Sequence, residues 1–215
     1  MTAGAAPRRA RVLSLVTVVG CVLYVALDVV AQLLPPHYSP IRQAESDLGV
    51  GPYGWVMNLN FLVRAALSLA LVGALAATRA PRSPGFGLGC LAVWGASSGL
   101  LAFFHTDILD APRLVPDPAV TVHGEIHIAL ATVGFIAAAL GALVVSAALR
   151  RSGWPPSGPL LTLAVLSAIA LVLLPLSGHV HHAGGLGERI FLLFTLVWML
   201  VTALCLRGRA PAAAG

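Results

Sequence analysis

Six long apolar runs, separated by short polar segments, make up most of the chain: Leu13–Leu34, Trp55–Ala77, Gly85–Phe104, Val120–Leu149, Pro159–Leu176 and Arg189–Leu206. A helix rising ~1.5 Å per residue needs roughly 20 residues to cross ~30 Å of hydrocarbon, and each run is close to that length. The pattern predicts an all-α, polytopic membrane protein with six transmembrane helices in one bundle over residues 13–206. A basic tail (1–12) precedes the bundle and a small-residue tail (207–215) follows it. The fourth run exceeds what a span needs, which predicts tilt or projection beyond the bilayer. A basic start before an apolar run also fits a secretory signal. Here the run is too long for a signal core and lacks an Ala-x-Ala exit, so a retained span is expected.

The segments between the runs differ in character. Pro35–Gly54 is a polar loop, Arg79–Pro84 and Arg150–Gly158 are basic turns, His105–Pro118 is rich in Asp and Pro, and Ser177–Gly187 reads as a Gly/His loop. Ser46-Asp47-Leu48-Gly49 reads as a capped turn entering the second helix, and Glu188 suits the N-terminal dipole of the sixth.

Composition supports a lipid solvent. The chain is 58% hydrophobic and 10% charged, where a soluble domain carries roughly 25% charged residues. The net charge of +5 comes from arginine alone. These arginines are scattered between apolar runs, which points to topology signals and membrane lipid as the partner, and not to nucleic acid. Arg8, Arg9, Arg11, Arg79, Arg82, Arg150, Arg151, Arg207 and Arg209 fall on the side of the termini, against Arg42, Arg113 and Arg189 opposite. The positive-inside rule then predicts a multi-pass protein of the cell membrane with both termini cytoplasmic. Cys21, Cys90 and Cys205 sit inside apolar runs and read as small buried hydrophobes.

All seven histidines fall on the predicted outer side, and topology gives no reason for that. His123 and His127 lie one helical turn apart, on a stripe continued by the small residues Ala131, Gly134, Ala138 and Gly141. Two readings stand: a zinc-ligand pair presented from a helix, or imidazoles that hydrogen-bond across helices. His179 and His181 are candidate further ligands, with a solvated glycine-rich loop as the alternative. A zinc-bound water would be near neutral in pKa, and Asp107 is the candidate base for its proton. Glu125 lies about 200° round the helix from both histidines and is not expected to share their site. Asp28 and Arg64 are the deep charges, expensive in lipid unless paired or hydrated. The expectation is that they pair with each other, with Asn60 assisting, either as structural glue or as part of a polar pathway. Gly95-x-x-x-Gly99 predicts a close-packing face, and Trp94 and Trp198 read as packing residues.

Ser46-Asp47-Leu48-Gly49 before a span containing Asn58 and Asn60, Phe-Phe-His-Thr-Asp ending at Asp107, His123-Gly124-x-x-His127, and Gly187-x-Arg189 occur in that order. Over roughly residues 20 to 205 the chain resembles the bacterial integral membrane proteins of the domain of unknown function 998 family. The resemblance implies about six spans and carries no activity with it. A looser similarity is to the membrane hydrolases that include alkaline ceramidases, which combine Ser, Asp and a His-x-x-x-His pair around zinc. They have seven spans and a different motif order.

The leading expectation is an outward-facing His/Asp pocket that hydrolyses an ester or amide of a lipid-like substrate with zinc. His123, His127, His181 and His179 would be ligands, Asp107 the base, and Ser46 and Asp47 would sit at the mouth. The alternatives are a proton- or cation-coupled transporter and a non-catalytic membrane scaffold.

Overall fold

The structure is a computed structural model describing residues 8–36, 38–78, 85–107, 120–154 and 156–208, with the side chains of residues 179–181 excepted. The described residues form six α-helices and no strand: α1 Arg8–Leu33, α2 Gly54–Ala77, α3 Gly85–Leu101, α4 Val122–Arg151, α5 Ser157–His181 and α6 Gly184–Arg207. Five are long and apolar enough to cross a membrane, while α3, at 17 residues, is shorter. The third apolar run is therefore not helical to Phe104, since α3 ends at Leu101. The basic turn before α3, most of the Asp/Pro loop after it and the last seven residues lie outside the described residues.

Each helix packs against its neighbour in the chain, and α6 returns to α1, so the six close into a ring. Among consecutive pairs the α4–α5 seam is the sparsest. Apolar side chains cover the outside, including Val22, Phe86 and Val172, as expected of a surface that meets lipid.

In lipid, helix association rests on close van der Waals contact and interhelical hydrogen bonds. The small-residue positions serve that contact. A Cβ at Gly141 would lie 2.8 Å from the Leu91 side chain on α3, and one at Gly95 would lie 3.0 Å from Leu69 on α2. The predicted stripe on α4 and the Gly95–Gly99 face are thus helix-packing surfaces. Trp198 is fully buried and donates from Nε1 to Ser146 Oγ at 2.8 Å, and Ser167 and Thr195 share a 2.7 Å hydrogen bond.

The connections α1–α2, α3–α4 and α5–α6 meet at one end, here the distal end. Two departures from expectation arise there. The Gly/His loop is mostly helix: α5 runs through Pro175 to His181, leaving only His182 and Ala183 before α6. His182 takes the left-handed conformation (φ 48°), and the Ala183 N–H donates to Ser177 O at 2.9 Å, a Schellman-like stop. Helical hydrogen bonding through this segment outweighs its turn-like composition.

The second departure is the α1–α2 connection, which folds down onto the bundle. Leu186 N donates to Ile41 O at 3.0 Å, so a loop carbonyl satisfies a free N–H of the first turn of α6. Arg189 donates to Pro40 O at 3.0 Å, Gln43 O at 3.2 Å and Tyr38 Oη at 2.6 Å. Below this clasp the chain makes a turn of 3₁₀ helix, Glu45–Gly49, which buries Glu45 and Leu48.

A Cβ at Gly185 would collide with Gln43 O, whereas one at Gly89 would meet nothing within 4 Å. Gly185→Ala should therefore destabilise the purified protein by about 1–3 kcal/mol, the usual cost of overpacking. Gly89→Ala should leave its thermal unfolding midpoint in detergent unchanged. Equal midpoints for the two variants would mean that the loop does not clasp α6.

Candidate functional site

Arg64, in the middle of α2, is 1% exposed. Its guanidinium is met on several sides. Nε donates to Ser98 Oγ on α3 at 3.1 Å, Nη1 lies 3.4 Å from Tyr24 Oη on α1, and Nη1 lies 3.8 Å from Glu45 Oε2. The rings of Trp94 and Phe61 lie 4.6 and 5.0 Å from Cζ, within cation–π range. The expected partner, Asp28, is not the one found. Its Oδ2 accepts from Gln32 Nε2 at 2.6 Å, one turn along its own helix, and Glu45 from the folded-down loop takes the place beside Arg64. Asn60 is fully buried, but its amide has no hydrogen-bond partner among the described residues.

Glu45 was not among the candidate residues, because a charge in a polar loop is by default solvated. It is 2% exposed. Tyr24 Oη lies 2.5 and 2.6 Å from its two carboxyl oxygens, and its backbone N–H donates to Glu188 Oε2 at 2.9 Å. Glu188 is thus a buried partner of the loop, not an exposed dipole cap. Desolvation, with Asp28 and Glu188 nearby, pushes the Glu45 carboxyl up to about 8 against the pull of Arg64. One signal was present in the sequence: Tyr24 and Asp28 are one turn apart on α1 and mark a polar face there.

The distal end of α4 is held from the α3–α4 connection. Thr121 caps the helix, accepting from Gly124 N at 3.1 Å. Asp107 accepts from Thr121 N and Thr121 Oγ1, both at 2.8 Å, and a Cβ at Gly124 would overlap its carboxylate. The candidate base is therefore already engaged as a clamp on the helix start. His127 is 2% exposed and its Nδ1 lies 2.7 Å from Phe104 O. A carbonyl only accepts, so Nδ1 carries the hydrogen, and in the neutral ring Nε2 keeps its lone pair. His123 is exposed and packs on the Phe104 ring, 5.5 Å between centroids. His105 Nε2 lies 3.4 Å from Asn58 Nδ2.

A cavity of about 710 Å³ opens at the distal end along the α4–α5 seam. Ser46, Asp47, Arg64, Asp107, His127 and Glu188 line its polar end. Its other wall is apolar, with Ile136 and Phe135 of α4 facing Leu171 and Val172 of α5. The structure thus brings four predicted site residues together with Arg64. His123, Asp28 and Asn60 do not line this cavity. Among the described residues no three His, Cys, Asp or Glu side chains come within metal-holding distance. The His179 and His181 side chains lie outside the described residues, so the predicted four-histidine set is not described as a whole.

The chain belongs to the DUF998 family of proteins of unknown function, whose family model matches residues 18–205. No curated protein and no solved structure matches it.

Removing the Arg64 charge would leave buried carboxyls without their cation. Arg64→Ala is expected to cost about 3–5 kcal/mol in detergent unfolding. The double variant Arg64→Ala/Glu45→Gln should recover part of that loss. If the two variants unfold alike, the ion pair is not what holds the loop in the bundle.

Proposed function

We propose that this DUF998 protein is a six-span protein of the cell membrane, with its termini cytoplasmic and its distal end outward. It admits a lipid-like amphiphile into the α4–α5 cleft and hydrolyses an ester or amide bond in it. The observation that carries this reading is the shape of the cavity, which has a charged and imidazole-bearing end, an apolar wall, and a position on the sparsest consecutive helix seam. An acyl chain fits the wall between Ile136 and Val172, and a polar head reaches His127. The arginine distribution supports the orientation.

The chemistry follows from the free Nε2 of His127. That nitrogen takes a proton from water, the resulting hydroxide adds to the carbonyl carbon, the bond to the leaving group breaks, and the imidazolium returns the proton to it. Ser46 and Asp47 stand at the mouth to orient the head. The residues that would hold a zinc ion are His127 and His123 with His179 or His181, and such an ion would supply a more acidic water. Proton- or cation-coupled transport is the second reading, and the buried carboxyl–arginine cluster supports it.

Native mass spectrometry of the detergent-purified protein should find about one amphiphile per chain, lost in Ile136→Trp, which fills the cleft. Fluorogenic acyl esters should be hydrolysed, with His127→Ala reducing the rate by about 10²-fold or more. Elemental analysis of the same samples tests for zinc. Amphiphile bound without turnover would retain the cleft and remove the hydrolase. Binding unaffected by Ile136→Trp would remove the cleft.

A further inference from the structure

The cluster beside the cleft, with Glu45, Arg64 and Glu188 buried and Asp28 and Arg189 half-buried, has an unequal charge count. Asp28, Glu45 and Glu188 supply three carboxyls, against the two guanidiniums of Arg64 and Arg189. With every group ionised and Tyr24 neutral, one negative charge would remain uncompensated in a region where Glu45 and Tyr24 are almost fully buried. An unpaired charge there costs far more than a neutral carboxyl. The contacts lead to the same conclusion by another route. Asp28 Oδ1 is buried with no hydrogen-bond partner among the described residues, and the Asp28 charge faces Glu45. With every carboxyl ionised, that buried oxygen would carry charge with no donor to meet it, which is costly.

The cluster also stands between two openings. Glu188 and Arg64 line the 710 Å³ cleft. Asp28, Glu45, Tyr24 and Arg189 line a separate cavity of about 300 Å³ between α1 and α6. The Glu45 N–H to Glu188 contact joins the two sides at 2.9 Å.

We propose that Asp28, Glu45 and Glu188 form a binding site for one exchangeable proton, centred on Glu45 and open to both cavities. The groups facing Glu45 are Tyr24 and Asp28 from α1, Arg64 from α2, and Glu188 from α6, with Arg189 beyond Asp28. The site takes a proton as its ligand, and the carboxyls are its acceptors. It stands whether or not the cleft holds an amphiphile.

Infrared titration of the full chain in nanodiscs tests this directly. The wild type should show a protonated-carboxyl C=O stretch at pH 6 to 7 that fades as pH rises through about 8, the value to which Glu45 is pushed. Glu45→Gln removes one negative charge and leaves two carboxyls with two arginines, so that band should be absent at neutral pH. Glu188→Gln should remove it by the same count, and serves if Glu45→Gln does not fold. Stability gives a second readout. The folded carboxyl holds its proton more tightly than the unfolded one, whose pKa is near 4.5. The midpoint should therefore be highest below that pH, fall as pH rises to about 8, and level off above it. Glu45→Gln should flatten that slope. A folded wild type with no protonated carboxyl at pH 6 to 7, or a band that survives undiminished in both variants, overturns the proposal.

Discussion

A guanidinium at the centre of a transmembrane helix must be neutralised by something, and in this fold that requirement shapes the distal half. Arg64 is 1% exposed, and an isolated cation there is costly. No acid on α2 or α3 is available to it, since neither helix contains one. The nearest carboxyl is that of Glu45, with Glu188 bound to its backbone, and Glu45 enters only because the α1–α2 connection folds into the bundle. That fold in turn needs Arg189 and the first turn of α6 to hold the loop backbone, and a glycine at 185 so that the two backbones can touch. One charge thus accounts for the placement of a loop, the close approach of α6 and the burial of Glu188.

The same arrangement explains where the cleft lies. The small residues of α4 commit one of its faces to α3, as Gly141 does against Leu91. The distal part of α5 is left with a thin seam against α4, and its outer side chains, such as Val172, stay uncovered. Space therefore persists between α4 and α5, while the folded-down loop roofs it with Ser46 and Asp47. Polar chemistry collects at the roof because the loop, the start of α4 and the start of α6 converge there.

The helices were legible in the sequence because a bilayer imposes a length, and runs of apolar residues of that length have few other uses. The tight packing at Gly95, Gly134 and Gly141 was legible for a related reason: small residues in lipid mark contact. What failed depended on tertiary structure. Polar glycine- and histidine-rich composition suggested a loop at 177–187, yet backbone hydrogen bonding carries α5 on to His181. Depth alone suggested Asp28 for Arg64, because depth can be counted along a helix while a re-entrant loop cannot. His123 and His127 have the predicted spacing, but Phe104 divides their surroundings. Its carbonyl binds one ring inside the bundle and its side chain covers the other at the surface.

Arg64 and Glu188 belong to both polar features at once. Each lines the cleft, and each also contacts or faces Glu45. A charged or hydrogen-bonding head placed in the cleft would change the field at Glu45 through these two side chains, with little water between to screen it. By linkage the reverse would hold: a change in the proton count at Glu45 would alter the affinity of the cleft for a charged head by the same free energy. The proposed catalytic cleft and the proposed proton site are therefore compatible readings of this bundle. They are two faces of one buried charge balance, with Arg64 at their shared wall.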